Sequence, residues 1–433
     1  MAKTAIACAE CGYRAFRWHG RCPRCGTWES LSEGDDEGTH LAPVALAQVE
    51  FENRTRMPTG LGELDRVLGG GFVPGSIVLL AGEPGVGKST LMLQAAAGIE
   101  ASGRAVLLVC GEESVEQVAG RAARVGGLVA TRATPSTDLE QVLACAPEAG
   151  VVIVDSIQTM RHPEQAGEAG SVTQVRACAA ALARHARASG SAIVLVGHST
   201  KDGSVAGPRA LEHLVDAVLT FEGDLGHALR TVRATKNRFG ATAELGVFEM
   251  RATGLAEVPD ASALFLADRI AGIPGSCVAC VMEGRRPVAV EVQTLVAEAN
   301  GPARRVASGL DTARVGVMAA VLARRAELSF AQQDIWASVA GGLRVTEPGI
   351  DLALALALAG SLKERPIPPE VVAIGEVGLG GEVRSVPGTD RRLAEAARVG
   401  FRRAVIPRSA TGPTAMPVQR VRDVREAVEL LLR

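Results

Sequence analysis

Ser76-Ile77-Val78-Leu79-Leu80-Ala81 runs without a break into Gly82-Glu83-Pro84-Gly85-Val86-Gly87-Lys88-Ser89, and Thr90 then opens an Ala-rich stretch. The aliphatic run has the unbroken apolar character of a strand buried on both faces. The segment after it fits G-x4-G-K-[ST] without deviation, in the strand–loop–helix setting that the motif needs. Glycines there let backbone N–H groups close on phosphate oxygens, and the helix N-terminus adds positive dipole. Glu83, Pro84 and Val86 complete the cradle. Lys88 is placed to reach the β- and γ-phosphates, and Ser89, with Thr90 behind it, to ligand a metal ion. The implied cofactors are ATP and Mg2+.

Outward from this point the pattern repeats. Residues 105–110 (AVLLVC), 151–156 (VVIVDS) and 192–197 (AIVLVG) read as further buried strands. Helical stretches such as 90–102 and 172–189 lie between them. From about residue 59 to 253 the alternation predicts an α/β fold, a parallel sheet with helices on both faces. In such a sheet the carboxyl ends of the strands carry the chemistry. Asp155 ends one strand, where a carboxylate holds Mg2+ beside Ser89; capping of the next helix is the plainer role. Glu112 and Glu113 follow another strand. One of them, by preference Glu112, suits a base for the attacking water, and both suit the dipole of a helix over 113–125. His198 fits a sensor of the γ-phosphate or a simple cap. The loop 201–207 (KDGSVAG) is a candidate DNA loop.

Composition bounds the rest. With 433 residues the chain predicts two or three domains, and 47% hydrophobic against 22% charged residues predicts folded ones. A net charge of −2 gives no overall pull toward nucleic acid, so DNA contacts must come from local patches. Aromatic residues at 3%, with one Tyr, argue against extensive base stacking. The N-terminus lacks a signal-peptide core, and the apolar run 350–362 contains Asp351 and is too short for a bilayer. The expectation is a cytoplasmic chain without a membrane partner, whose nine cysteines serve metal binding or packing instead of disulfides. Cys8-x2-Cys11 and Cys22-x2-Cys25 supply four thiolates for a tetrahedral Zn2+. Cys277 and Cys280 stand alone in an apolar stretch and read as core. Residues 30–43 are polar and acidic, a linker. Beyond residue 261 the texture changes to α+β: a strand at 287–296, helices at 311–326 and 350–362, then a Gly-rich stretch at 375–386. The domain division expected is a zinc module at 1–30, a linker at 31–55, an ATPase domain at 56–255 and a further domain at 256–433.

Residues 59–75 (TGLGELDRVLGGGFVPG), running into the phosphate loop, resemble the RecA/KaiC/DnaB group of ATPases. Gly111-Glu-Glu-Ser114, Gly197-His-Ser-Thr-Lys201 and above all Lys236-Asn-Arg-Phe-Gly240 resemble the RadA (Sms) family, and with the four-cysteine module the resemblance covers nearly the whole chain. It implies a RecA-like core, a zinc ribbon and a Lon-protease-like α+β domain. It further implies a hexameric ring that acts as an ATP-dependent helicase on single-stranded and branched DNA. Branch migration with the RecA recombinase in DNA-damage repair is the activity expected. Lys236 and Arg238 would then reach a neighbour's nucleotide as an arginine finger does; a basic turn on DNA phosphate is the plainer role. Matching Thr346-Glu-Pro-Gly-Ile-Asp351 to the Lon pattern puts Glu347 at the nucleophile position and Asp390 at the lysine position. Two carboxylates cannot run Ser–Lys chemistry, so an inert scaffold is expected. Arg304, Arg305, Arg314, Arg324 and Arg325 offer a phosphate-binding surface or solvated helix faces. The competing functions are an ATP-dependent Lon-like protease and a KaiC-like regulatory ATPase without DNA activity.

Overall fold

The computed structural model describes residues 6–8, 14–15, 27–28, 31–33, 55–147, 150–198, 210–223, 228–242 and 244–432. The chain divides into two units, Met1–Asn53 and Arg54–Arg433. In the first, Ile6–Cys8 is the central strand of a small antiparallel sheet between Arg14–Ala15 and Leu31–Glu33. The linker expected from residue 31 therefore begins with a strand, because Cys8 pairs in register with Leu31. Cys11, Cys22 and Cys25 lie outside the described residues, as does the side chain of Cys8.

The second unit holds two large sheets. The nine-stranded one runs Gly254–Glu257, Leu245–Arg251, Leu229–Asn237, Ala217–Glu222, Ile77–Gly82, Ala192–His198, Val151–Asp155, Val106–Cys110 and Arg132–Thr134. From Ala217–Glu222 to Arg132–Thr134 every pairing is parallel. The remaining three strands are antiparallel and extend the expected parallel sheet at one edge. Antiparallel neighbours need no crossover helix. Helices Lys88–Ala101 and Val115–Val125 cover one face, and Leu139–Cys145 and Val172–Ser189 the other. The central strand Ile77–Gly82 is buried throughout, as its sequence requires.

The second sheet has seven strands: Arg305–Ser308, Gln333–Val339, Arg286–Glu298, Ser276–Glu283, Val371–Ala373, Arg403–Pro407 and Val418–Val421. Helices Thr312–Arg325, Asp351–Leu362 and Val424–Leu431 pack on one face, and Thr389–Arg398 on the other. The helix Asp351–Leu362 is apolar nearly all round because its neighbours enclose it, and its one acid, Asp351, is paired with Arg314 at 2.5 Å. Cys277 and Cys280 are fully buried in this core. Among the described residues no helix is long and apolar enough to cross a membrane.

Candidate active site

The phosphate loop leaves the strand Ile77–Gly82 in the middle of the first sheet and enters the helix Lys88–Ala101 through Gly87, whose φ of 111° only glycine tolerates easily. Lys88 folds back over the loop. Its Nζ donates to the carbonyl oxygens of Gly82 and Glu83, each at 2.9 Å, and lies 3.3 Å from His198 Nδ1. Burial lowers its pKa, opposed by the charges of Asp155 and Glu112. Strand register explains the gathering: Gly82 pairs with His198, and Cys110 with Asp155, so the carboxyl ends of neighbouring strands converge on the loop.

Asp155 accepts a hydrogen bond from Ser89, and burial raises its pKa above the ordinary carboxylate range. A hydroxyl and a carboxylate, hard oxygen donors brought into contact beside the loop, fit Mg2+. Glu112 faces them. His198 Nε2 lies 2.6 Å from its Oε1, and the Ser156 hydroxyl donates to the same oxygen. Burial works against ionisation of Glu112. The hydrogen bonds from Ser156 and His198, with the charges of His198 and Lys88, outweigh it and hold the carboxyl below its usual range. Glu113 turns aside to an ion pair with Arg121. The two glutamates thus differ: Glu112 stands over the strand ends, whereas Glu113 secures the helix Val115–Val125, whose N-cap is Ser114.

Glu112, Glu113 and His198 line a cavity of about 440 Å³ together with Pro84, Gly85, Gly87, Lys88, Ser89 and Thr90 of the phosphate loop and helix start. Arg124, Arg251 and the turn to Gly254 also line it. Outside the cavity, Arg230 donates from its Nε to Val86 O at 3.0 Å and braces the loop. Sequence reading found none of Arg121, Arg124, Ser156, Arg230 or Arg251. The turn that carries Arg251 is brought to the loop by the antiparallel extension, for which the motif gives no signal.

Lys236 and Arg238 are not at this site. Lys236 pairs with Val218 and Asn237 with Ala217, next to Val78, whereas the phosphate loop leaves from the other end, where Gly82 pairs with Phe221. Lys236 Nζ donates to Val215 O at 2.7 Å and to Glu212 O, and Arg238 meets Asp216 at 3.3 Å. Burial lowers the Lys236 pKa, helped by the charge of Arg238. The loop 201–207 lies outside the described residues.

In the second sheet the expected carboxylate pair is not formed. Glu347 is bound in bidentate fashion by Arg392, at 2.7 and 2.9 Å, not set against Asp390. The helix Thr389–Arg398 turns Arg392 inward toward the Cys280 carbonyl, 2.9 Å away, and so sets beside Glu347 a guanidinium, which cannot give up its proton. Of the arginines expected to form a phosphate surface, Arg314 is committed to Asp351 and Arg305 to the carbonyls of Phe330 and Gln333.

An α/β sheet covered on both faces, with a phosphate loop after a central strand, Asp155 at the end of one further strand and Glu112 just past the end of another, defines a P-loop ATPase. Family models match residues 7–33 as a rubredoxin metal binding domain, 59–204 as an AAA domain and 310–410 as subunit ChlI of Mg-chelatase. The chain is 44% identical to the DNA repair protein RadA of Halalkalibacterium halodurans, with 99% of each chain covered. It is 43% identical to that of Bacillus subtilis over the whole of both chains, and 46% identical to that of Mycobacterium tuberculosis, covering 94% of this chain and 88% of the relative. The chain belongs to the RadA family of DNA repair proteins, ATP-binding proteins with an N-terminal zinc ribbon.

Proposed function

We propose that the chain is a DNA-stimulated ATPase that drives branch migration and unwinding on single-stranded and branched DNA, working beside a RecA recombinase in the response to DNA damage. One observation carries this reading: the carboxylates and phosphate loop are gathered at one end of the sheet, while the basic pentapeptide Lys236–Gly240 stands at the other. A nucleotide held by one copy then lacks these cations unless a neighbour supplies them. A homo-oligomer, proposed as a hexameric ring, meets that need, with Lys236 and Arg238 acting across the interface. The relatives' name supports DNA as the polymer acted upon.

Within one copy, Gly85, Gly87 and Lys88 would hold the phosphates, and Ser89 and Asp155 would hold Mg2+, which offsets charge on the phosphate oxygens. Glu112 would take the proton of the attacking water, and His198, in reach of both Lys88 and Glu112, would report the γ-phosphate. Cys8, Cys11, Cys22 and Cys25 would hold the zinc. Residues 1–30, 56–255 and 256–433 would act as zinc module, motor and scaffold, with 31–55 as linker, in the cytoplasm. The Glu347–Arg392 pair supports a scaffold without peptidase activity.

The test is steady-state ATP hydrolysis with and without single-stranded DNA, together with unwinding of a forked duplex, for the parent, Lys88→Ala and Lys236→Ala. The parent is expected to be stimulated by DNA, and both variants to lose stimulation and unwinding by about 100-fold or more. DNA-independent turnover in the parent would return the chain to the regulatory ATPases. Full activity in Lys236→Ala would remove the interface role.

A further inference from the structure

Glu112 has no helix or strand of its own. It lies on the connection between the strand Val106–Cys110 and Ser114, the N-cap of the next helix. A carboxylate on such a connection samples several rotamers unless something outside holds it. The holding begins in the backbone. Gly111 N–H donates to Asp155 O at 2.7 Å, which ties the connection to the end of the neighbouring strand. A Cβ on Gly111 would lie 1.9 Å from Thr159 Oγ1, so glycine is what lets the connection press against the turn Ile157–Thr159. Thr159 is itself fixed, its hydroxyl donating to Ser156 O at 2.8 Å.

This approach brings the Ser156 hydroxyl to Glu112 Oε1. Ser156 is fully buried, so its hydroxyl has been taken from water and given to this carboxylate. His198 reaches the same Oε1, but it also lies 3.3 Å from Lys88 Nζ, so its hold changes when Lys88 engages a phosphate. The hold from Ser156 is independent of the loop. With Oε1 occupied by donors, Oε2 is the oxygen left to take a proton.

We infer that Ser156 is a positioning residue for hydrolysis, fixing Glu112 so that Oε2 faces the attacking water. In the step it serves, the water oxygen bonds to the γ-phosphorus. The bond from that phosphorus to the β–γ bridging oxygen breaks, ADP and phosphate leave, and the water proton passes to Oε2. The inference rests on the proposed role of Glu112 as base.

The test uses the full-length, zinc-loaded chain and compares Ser156→Ala, Ser156→Thr, Glu112→Gln and the double variant Ser156→Ala/Glu112→Gln. Ser156→Ala is expected to lower kcat about 10- to 100-fold with KM for ATP within about twofold, as a misplaced base does. Ser156→Thr, which keeps the hydroxyl, is expected to recover most of the loss. The double variant is expected to be no slower than Glu112→Gln, because the serine acts only through the glutamate. A Ser156→Ala kcat equal to the parent's, or losses that multiply in the double variant, would overturn the inference while leaving Glu112 as base. A Glu112→Gln enzyme with parental turnover would instead remove Glu112 from catalysis, and the inference with it.

Discussion

At the scale of the residue, Glu347 and Arg392 form an ion pair that leaves the carboxylate no free oxygen. Glu347 Oε1 also accepts from Gly349 N–H at 2.9 Å and Oε2 from Met282 N–H at 3.2 Å, so both oxygens are saturated. Arg392 is 1% exposed. Removing Arg392 leaves the Glu347 carboxylate, 20% exposed, without its cation and empties a fully enclosed site. Arg392→Ala is therefore expected to destabilise the chain by about 3–5 kcal/mol, read as a lower urea midpoint; an unchanged midpoint would mean water reaches the pair. A surface pair gives a pH signature instead. Arg398 binds both oxygens of Asp260 at 2.6 and 2.8 Å, and its hydrogen bonds hold the Asp260 carboxyl down at about 2, against the opposing effect of burial. A depressed acid contributes stability that is complete above the unfolded value, about 3.9, and is lost as pH falls through the folded one. Stability of the parent is thus expected to fall between about pH 4 and pH 2 more steeply than that of Asp260→Asn. Both groups are over 40% exposed, so the difference is small and shrinks with salt.

At the scale of the element, packing decides which sequence signals can be read. The strands around the phosphate loop are buried on both faces and stand out as aliphatic runs, each found in the sequence to within a residue or two. Leu229–Asn237 escaped notice because alternate side chains face partly outward, so Thr231, Arg233 and Thr235 interrupt its apolar residues. Arg230 and the turn past Arg251, both near the nucleotide cavity, were lost with it. Glycines in helices carry a similar lesson. In Lys88–Ala101, a Cβ on Gly98 would lie 2.1 Å from Thr59 O and 2.8 Å from Gly60 Cα, where the segment before the helix Gly62–Leu68 crosses. In Val115–Val125, a Cβ on Gly120 would meet nothing within 4 Å. Helix propensity favours alanine at both by about 1 kcal/mol. Gly120→Ala is expected to gain about 0.5–1 kcal/mol, whereas Gly98→Ala is expected to lose about 1–3 kcal/mol, because two backbones must part. Thermal denaturation of the two variants side by side separates propensity from packing. Equal shifts would show that the crossing yields freely.

At the scale of the whole molecule, the hairpin formed by Ser276–Glu283 and Arg286–Glu298 bridges the two large sheets of residues 54–433. Arg286 Nη1 meets Glu63 at 2.6 Å on the helix Gly62–Leu68 and donates to Leu245 O at 3.1 Å, while Nη2 donates to Pro259 O at 2.5 Å. Glu283 pairs with Arg233 on the strand that also carries Arg230, the brace of the phosphate loop. Burial raises the Glu283 pKa, and Arg233 works against that rise. Leu245 and Val247 of the first sheet pack in one continuous core with Cys277, Val288 and Val290 of the second. None of these partners is near the other in sequence, so the clasp could not be foreseen from local patterns. Its energetics set the cooperativity of unfolding. With the clasp intact, exposing either sheet breaks a shared core and parts Glu63, which is 2% exposed, from Arg286, so both sheets are expected to melt in one calorimetric transition. Arg286→Ala leaves Glu63 with Arg66, at 3.1 Å, as its remaining cation, at a cost of about 1.5–3 kcal/mol that falls on the interface and not on either core. The endotherm of that variant is expected to split, the less stable sheet melting first, with the summed enthalpy close to the parent's. A single transition merely shifted to lower temperature would mean that the shared apolar core, not the ionic clasp, couples the two halves.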